Sequence, residues 1–326
     1  MDTHAAKDPS LYSPLARFAG AAPDAPAWFV SAVARKPEER FVEVDGTPIE
    51  MLTWGEIGKP GLLLLHGNGA HAGWYRFIAP FFADRYRVAA LSWSGMGASG
   101  WRREYRVEHF VAEIVAVAEA AGLHAGVAPP LIVGHSFGSF PLAEAACRHG
   151  DRFGGIVIVD SPFLTPERRE LRRRERGARP QRPRELAPHR VYPTLEAALA
   201  RFRLAPLQPC ANLYIADLIA REGLVRVSSE DGSEGWTWRF DPFLWRDFHM
   251  PDLTGVLGRM KCPAALIRGA RSQLMGDEDF EFTHALMPPS SLRLITCRKA
   301  SRNCRSGSIT SFPNCRCRSF STTCRR

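Results

Sequence analysis

Residues 134–138 read Gly-His-Ser-Phe-Gly, after the apolar run Pro130-Leu131-Ile132-Val133 and ahead of a helical pattern. Glycines on both sides of a serine allow a tight, strained turn at the end of a strand, which lifts the hydroxyl clear of its neighbours. The three fixed residues alone are weak, since roughly one chain in ten of this length carries them by chance. The setting carries the weight: this copy ends an apolar run, opens a helix and lies midway through an alternating strand–helix pattern. The chemistry such a serine can do is acyl transfer. Ser136 would attack a carbonyl, and it then needs backbone N–H donors for the oxyanion, a base for its own proton and an acid to orient that base.

A second piece lies at His66-Gly67-Asn68-Gly69, directly after the apolar run 61–65. Taken alone it is a plain turn with glycine at the strained positions. Beside the elbow it can present the Asn68 N–H to a developing oxyanion, with the Phe137 N–H as second donor. The chain has no phosphate-binding loop and its histidines lack ligand spacing, so neither a metal nor a cofactor is expected.

Four apolar runs must position these pieces: "GLLLLHG" (61–67), "YRVAALSW" (86–93), "PLIVGHS" (130–136) and "GGIVIVDSP" (154–162). Unbroken apolar strands separated by helical patterns, notably 104–121 and 139–149, predict a parallel sheet covered on both faces. "FVEVDGTPIEMLTWG" (41–55) alternates around Asp45-Gly46 and predicts a hairpin. The expected fold class is α/β, a mostly parallel central sheet flanked by helices that opens with an antiparallel hairpin. Residues 163–255 break the rhythm with a charge-dense run (167–184), helical segments and the aromatic patch "WTWRFDPFLWRDF" (236–248). Alternation resumes at "CPAALIRGARS" (262–272) and a helix at about 277–287. Residues 163–255 therefore read as a largely helical insertion between two strands of one sheet, placed as a lid would be. Its aromatics Trp236, Trp238, Phe243 and Trp245 line an apolar acyl pocket in one reading and form the insertion's own core in the other.

The composition, 45% hydrophobic and 24% charged over 326 residues, is that of an ordinary soluble globular protein. The net charge of +9 sits at one end. Residues 291–326 hold eight arginines, one lysine and no acid, leaving 34 of the 43 basic residues against 34 acidic ones elsewhere. No apolar run approaches the ~18 residues of a membrane span. The start, "MDTHAAKDPS", lacks a basic region followed by an apolar core. A cytoplasmic protein with no membrane or nucleic-acid partner is expected. Five of the eight cysteines fall in the tail without the paired spacing of a zinc site.

On "LLLLHGNGAHAGWYRF", "ALSWSGMGASG", "IVGHSFGS" and "ALIRGARS", in that order and spacing, the chain resembles the α/β-hydrolase superfamily in its lid-bearing serine esterase branch. The resemblance covers about residues 41–290. It implies an eight-stranded sheet, a lid inserted after the sixth strand, and a Ser–acid–His triad acting on an ester or related acyl bond of a small molecule. Serine at the elbow points away from the dehalogenase and epoxide-hydrolase branches, which attack carbon with a carboxylate. His66 and His135 are implied to be structural or pocket-lining. The family's usual acid position, after the strand 263–268, is Ser272 here. Other branches place the acid after the preceding core strand, where Asp160 closes "IVIVDSP", and Asp160 is the expected acid. Asp277 and Asp279, just beyond Ser272, look like the acidic first turn of a helix. The family's histidine comes from the loop after the last strand, beyond about residue 296, and no histidine follows His284. His284 lies within a predicted helix, and His249, in the lid, is remote.

The expected organisation is an N-terminal surface segment (1–40), a first core part (41–162), a lid (163–255), a second core part (256–296) and a basic Cys/Arg/Ser-rich tail (297–326). The tail has no helical period and no acid, the composition that GC-rich coding DNA yields in a wrong frame. With GC-rich codons, a one-base shift over Ser308-Ile309-Thr310-Ser311-Phe312 reads Glu-His-His-Gln-Leu, a histidine-bearing turn where the family places one. The nucleotide sequence tests this. The competing readings are a hydrolase-fold protein left inactive, and a basic tail that binds nucleic acid or an acidic membrane surface.

Overall fold

The Asp45-Gly46 turn closes a hairpin between β1 (Glu38–Val44) and β2 (Thr47–Trp54), with both turn residues at positive φ. The structure, a computed structural model, describes residues 8–175, 188–228, 232–246, 248 and 251–296. The tail, the charge-dense run beyond Glu175 and His249 lie outside these residues.

The four apolar runs become β3 (Gly61–Leu65), β4 (Arg87–Leu91), β5 (Leu131–His135) and β6 (Gly155–Val159). Every residue of β3 and β4 is buried, as strands with covering layers on both faces require. An insertion follows, with its own hairpin β7 (Leu224–Ser228) and β8 (Glu234–Trp238). The sheet then resumes with β9 (Ala264–Gly269) and β10 (Leu292–Thr296). The eight-stranded sheet has the order β1-β2-β4-β3-β5-β6-β9-β10, in which β2 alone runs against its neighbours β1 and β4.

One face is covered by the helices Val107–Ala120 and Ser139–His149, with Trp93, Phe110 and Phe137 meeting edge-on beneath the site. Leu52, Trp54, Leu62, Leu64, Val88 and Ala90 face the other way. They pack against Ala72, Ala79 and Ala83 from the turns after β3. Among the described residues no helix is long and apolar enough to cross a membrane.

The insertion differs from the expected, largely helical, segment. It holds the helices Pro166–Glu175, Leu195–Leu199 and Leu213–Glu222, but "GWTW" lies in the β7–β8 hairpin. The alternation Gly235-Trp236-Thr237-Trp238 has the period of a strand, and β7 supplies the partner that lets it form one. The N-terminal segment does more than lie on the surface. Leu15 is buried in the insertion's apolar cluster with Leu199, Ile219 and Leu224, and Arg221 donates to Gly20 O at 2.6 Å.

Candidate active site

Ser136 follows β5 with φ at +50°, a left-handed conformation that a residue with a Cβ adopts only where its surroundings hold it. The flanking glycines explain how. A Cβ on Gly134 would lie 2.9 Å from Gly138 O, and one on Gly138 would lie 2.7 Å from His66 O. Helix Ser139–His149 therefore packs directly on its own strand and on the loop after β3. Two hydroxyls lock the turn: Ser139 Oγ donates to Gly134 O at 2.6 Å, and Ser161 Oγ donates to Ser136 O at 2.8 Å.

The loop after β3 runs against the serine, since a Cβ on Gly67 would come within 3.1 Å of Ser136 Cβ. Asn68 comes next, and among the described residues its backbone N–H has no partner. The Phe137 N–H lies in the first turn after β5, ahead of the first intrahelical acceptor. Two unsatisfied donors beside a strained serine can stabilise negative charge on an oxygen bound there.

Of the two roles expected for His66, structural or pocket-lining, the structure shows the structural one. It is buried behind the loop, where its Nε2 accepts from Trp93 N at 3.1 Å and its Nδ1–H donates to Gly67 O at 2.7 Å. Burial pulls its pKa down to about 3, so the ring is neutral and ties β3 to the loop after β4. His135 sits closer, with Nδ1 3.3 Å from the position a Gly67 Cβ would take. Burial holds it below the ordinary histidine value, against the upward pull of Asp160.

Asp160 ends β6 with φ at +57°, the second strained non-glycine at this end of the sheet. Its Oδ1 accepts from Gly269 N at 3.1 Å, at the end of the neighbouring β9, and its Oδ2 from Ser272 Oγ at 2.8 Å, just beyond it. Ser272 Oγ in turn accepts from Leu274 N and Met275 N. Asp277 pairs instead with Arg268, in the acidic first turn of helix Asp277–Ala285 that also contains Asp279. His284, in that helix, faces Ser291 O at 3.2 Å. Among the described residues nothing hydrogen-bonds to Ser136 Oγ.

Of the two readings of Trp236 and Trp238, pocket lining or the insertion's own core, the structure shows the second: they pack into its cluster with Leu15, Leu199 and Phe202. From β8 they cover the insertion's helices, which among the described residues do not pack on the main sheet's parallel strands. The aromatics at the serine are Trp245 and Phe248. Trp245 meets Phe137 edge-on at 5.4 Å and its Nε1–H donates to Asn68 Oδ1 at 3.1 Å. Phe248 packs on Phe137 and Phe110. Among the described residues no His, Cys, Asp or Glu side chains cluster as a metal site would need.

Residues 60–259 match the family described as alpha/beta hydrolase fold. The chain belongs to this family. Within it, 133 residues are 30% identical to epoxide hydrolase A of Mycobacterium tuberculosis, covering 39% of this chain and 40% of that protein. Over 216 residues the chain is 27% identical to a pimeloyl-[acyl-carrier protein] methyl ester esterase of Chromobacterium violaceum, covering 66% of this chain and 77% of the relative. The chain spans less than half the length of the first curated relatives it matches. Among solved structures, E-2-(acetamidomethylene)succinate hydrolase superposes with a TM-score of 0.62 at 19% identity, over 79% of this chain and 90% of that one. The thioesterase domain from the curacin biosynthetic pathway gives 0.60 at 22% identity, over 80% and 92%. At these identities the superpositions speak for the α/β-hydrolase fold alone.

Proposed function

We propose that this α/β-hydrolase is a serine hydrolase of an ester or related acyl bond in a small molecule, whose turnover is impaired by the loss of its histidine. One observation supports the reading above others: Ser136 is held at positive φ against a loop whose Asn68 N–H is left without a partner. In the reaction Ser136 Oγ bonds to the carbonyl carbon and the carbonyl π pair moves onto oxygen. The Asn68 and Phe137 N–H groups hold that oxyanion. The Oγ proton goes to a base and then to the leaving group as the acyl bond breaks. In this reading Asp160 orients an imidazole arriving from beyond β10, and the insertion serves as a lid. No histidine follows His284, so the proton must pass to water. The epoxide hydrolase among the relatives does not move this reading, because serine at the elbow suits acyl carbon.

A fluorophosphonate probe and a p-nitrophenyl acetate assay, run beside Ser136→Ala, test the proposal. Slow labelling that Ser136→Ala abolishes, with turnover orders of magnitude below that of an intact triad, is expected. Brisk turnover lost in Ser136→Ala removes the impairment. Labelling that persists unchanged in Ser136→Ala removes the serine, and leaves an inactive protein with a hydrolase fold.

A further inference from the structure

Resting on the serine reading above, we propose that Trp245 is a positioning residue of the oxyanion hole, through which the segment 241–245 sets the hole's geometry. Trp245 touches both residues that supply the donors: its indole N–H reaches Asn68 Oδ1 at 3.1 Å, and its ring meets the Phe137 ring edge-on at 5.4 Å. Among the described residues no other insertion side chain makes a hydrogen bond or ring contact with both. The Asn68 peptide needs such an anchor. It lies exposed between Gly67 and Gly69, the latter at φ +67°, and glycines leave the flanking backbone free to rotate. Among the described residues, the bond to Trp245 is the only one Asn68 makes.

The anchor is itself moored to the core. Asp241, four residues before Trp245, donates its N–H to Gly95 O at 2.7 Å and accepts from Tyr105 Oη at 2.8 Å. Its other carboxylate oxygen accepts from Phe243 N at 2.8 Å, which fixes the turn leading to the indole. Trp245 remains 38% exposed, so it is held at the mouth of the site rather than sunk into the core. Loss of the indole bond would release the Asn68 peptide.

Hydrogen–deuterium exchange at the Ala70 N–H, which donates to Gly67 O at 3.3 Å and closes the turn around Asn68, reads this coupling without turnover, in wild type, Trp245→Phe, Asn68→Ala and the double variant. Trp245→Phe keeps an aromatic ring and removes only the donor, while Asn68→Ala keeps the backbone N–H and removes only the acceptor. Each single variant is expected to speed exchange there by about threefold or more, the scale of one net hydrogen bond, and the double variant no further. Fluorophosphonate labelling of Ser136 should slow in parallel, with Tm held. Unchanged exchange in Trp245→Phe, or effects that multiply in the double variant, overturns the assignment to Trp245. Labelling of the wild type that does not depend on Ser136 overturns the serine reading instead.

Discussion

Asp160 Oδ2 and Ser272 Oγ lie 2.8 Å apart, joining the end of β6 to the turn after β9. These are the two positions at which the family resemblance led an acid to be expected, and the hydroxyl at one holds the carboxylate at the other. Ser272 also accepts two backbone N–H groups, so its loss removes three hydrogen bonds. Ser272→Ala is expected to cost on the order of 1–2 kcal/mol in urea unfolding. Ser272→Asp sets two carboxylates against each other. Its stability loss should be largest at neutral pH and shrink as pH falls and one of the pair takes a proton. A loss independent of pH would count against the contact.

The elbow predicts a trade of reactivity against stability. At φ +50°, Ser136→Ala keeps the Cβ and the strain, whereas Ser136→Gly removes both. Both variants should lose fluorophosphonate labelling. Only Ser136→Gly should gain stability over Ser136→Ala, by roughly 1 kcal/mol in thermal or urea unfolding. Equal stabilities would mean that the turn holds no strain.

If the nucleophile and the oxyanion donors are assembled and only the base is missing, free imidazole should stand in for it. Added imidazole is expected to raise p-nitrophenyl acetate turnover in the wild type roughly tenfold or more above Ser136→Ala in the same buffer. The comparison with Ser136→Ala subtracts hydrolysis by imidazole itself. Parallel rates in the two proteins would show that something beyond the base is absent.

The sheet and the elbow were legible because their physics is local. The unbroken apolar runs of β3 and β4 have no polar face to offer solvent, and Asp45-Gly46 admits the positive φ of a tight hairpin turn. The glycines at 134 and 138 announce a close backbone approach that the structure contains. The contacts that finish the site were not legible. Ser272 meets Asp160 across 112 residues and Trp245 meets Asn68 across 177, and no periodicity encodes either pairing. The β7–β8 hairpin was missed for a different reason. Its strands are short and half-exposed, so the alternation in Gly235-Trp236-Thr237-Trp238 was outweighed by the helical segments around it. The sequence left His66 as structural or pocket-lining, and only its bonds to Trp93 and Gly67, made across the fold and the loop, decide for the structural role.

His71, on the same loop, predicts acid sensitivity where the insertion meets the core. Its Nε2–H donates to Ile219 O at 3.0 Å, on the insertion helix Leu213–Glu222. Burial first, and then the nearby Arg239 and Arg76, hold its pKa down at about 4. In the unfolded chain the same ring titrates near 6.5, so between these values the unfolded state binds more protons. The stability His71 contributes is complete above pH 6.5 and is lost as pH falls toward 4. Glu113, pushed up to about 7 by burial, acts in the opposite direction between its ordinary value and 7. The clean readout is therefore a difference between wild type and His71→Gln, which keeps an N–H donor for Ile219 O but does not titrate. Between pH 7 and 4.5 the wild type should lose on the order of 2 kcal/mol more than His71→Gln in urea unfolding. Matching losses in the two proteins would mean that His71 takes up its proton without disturbing the fold.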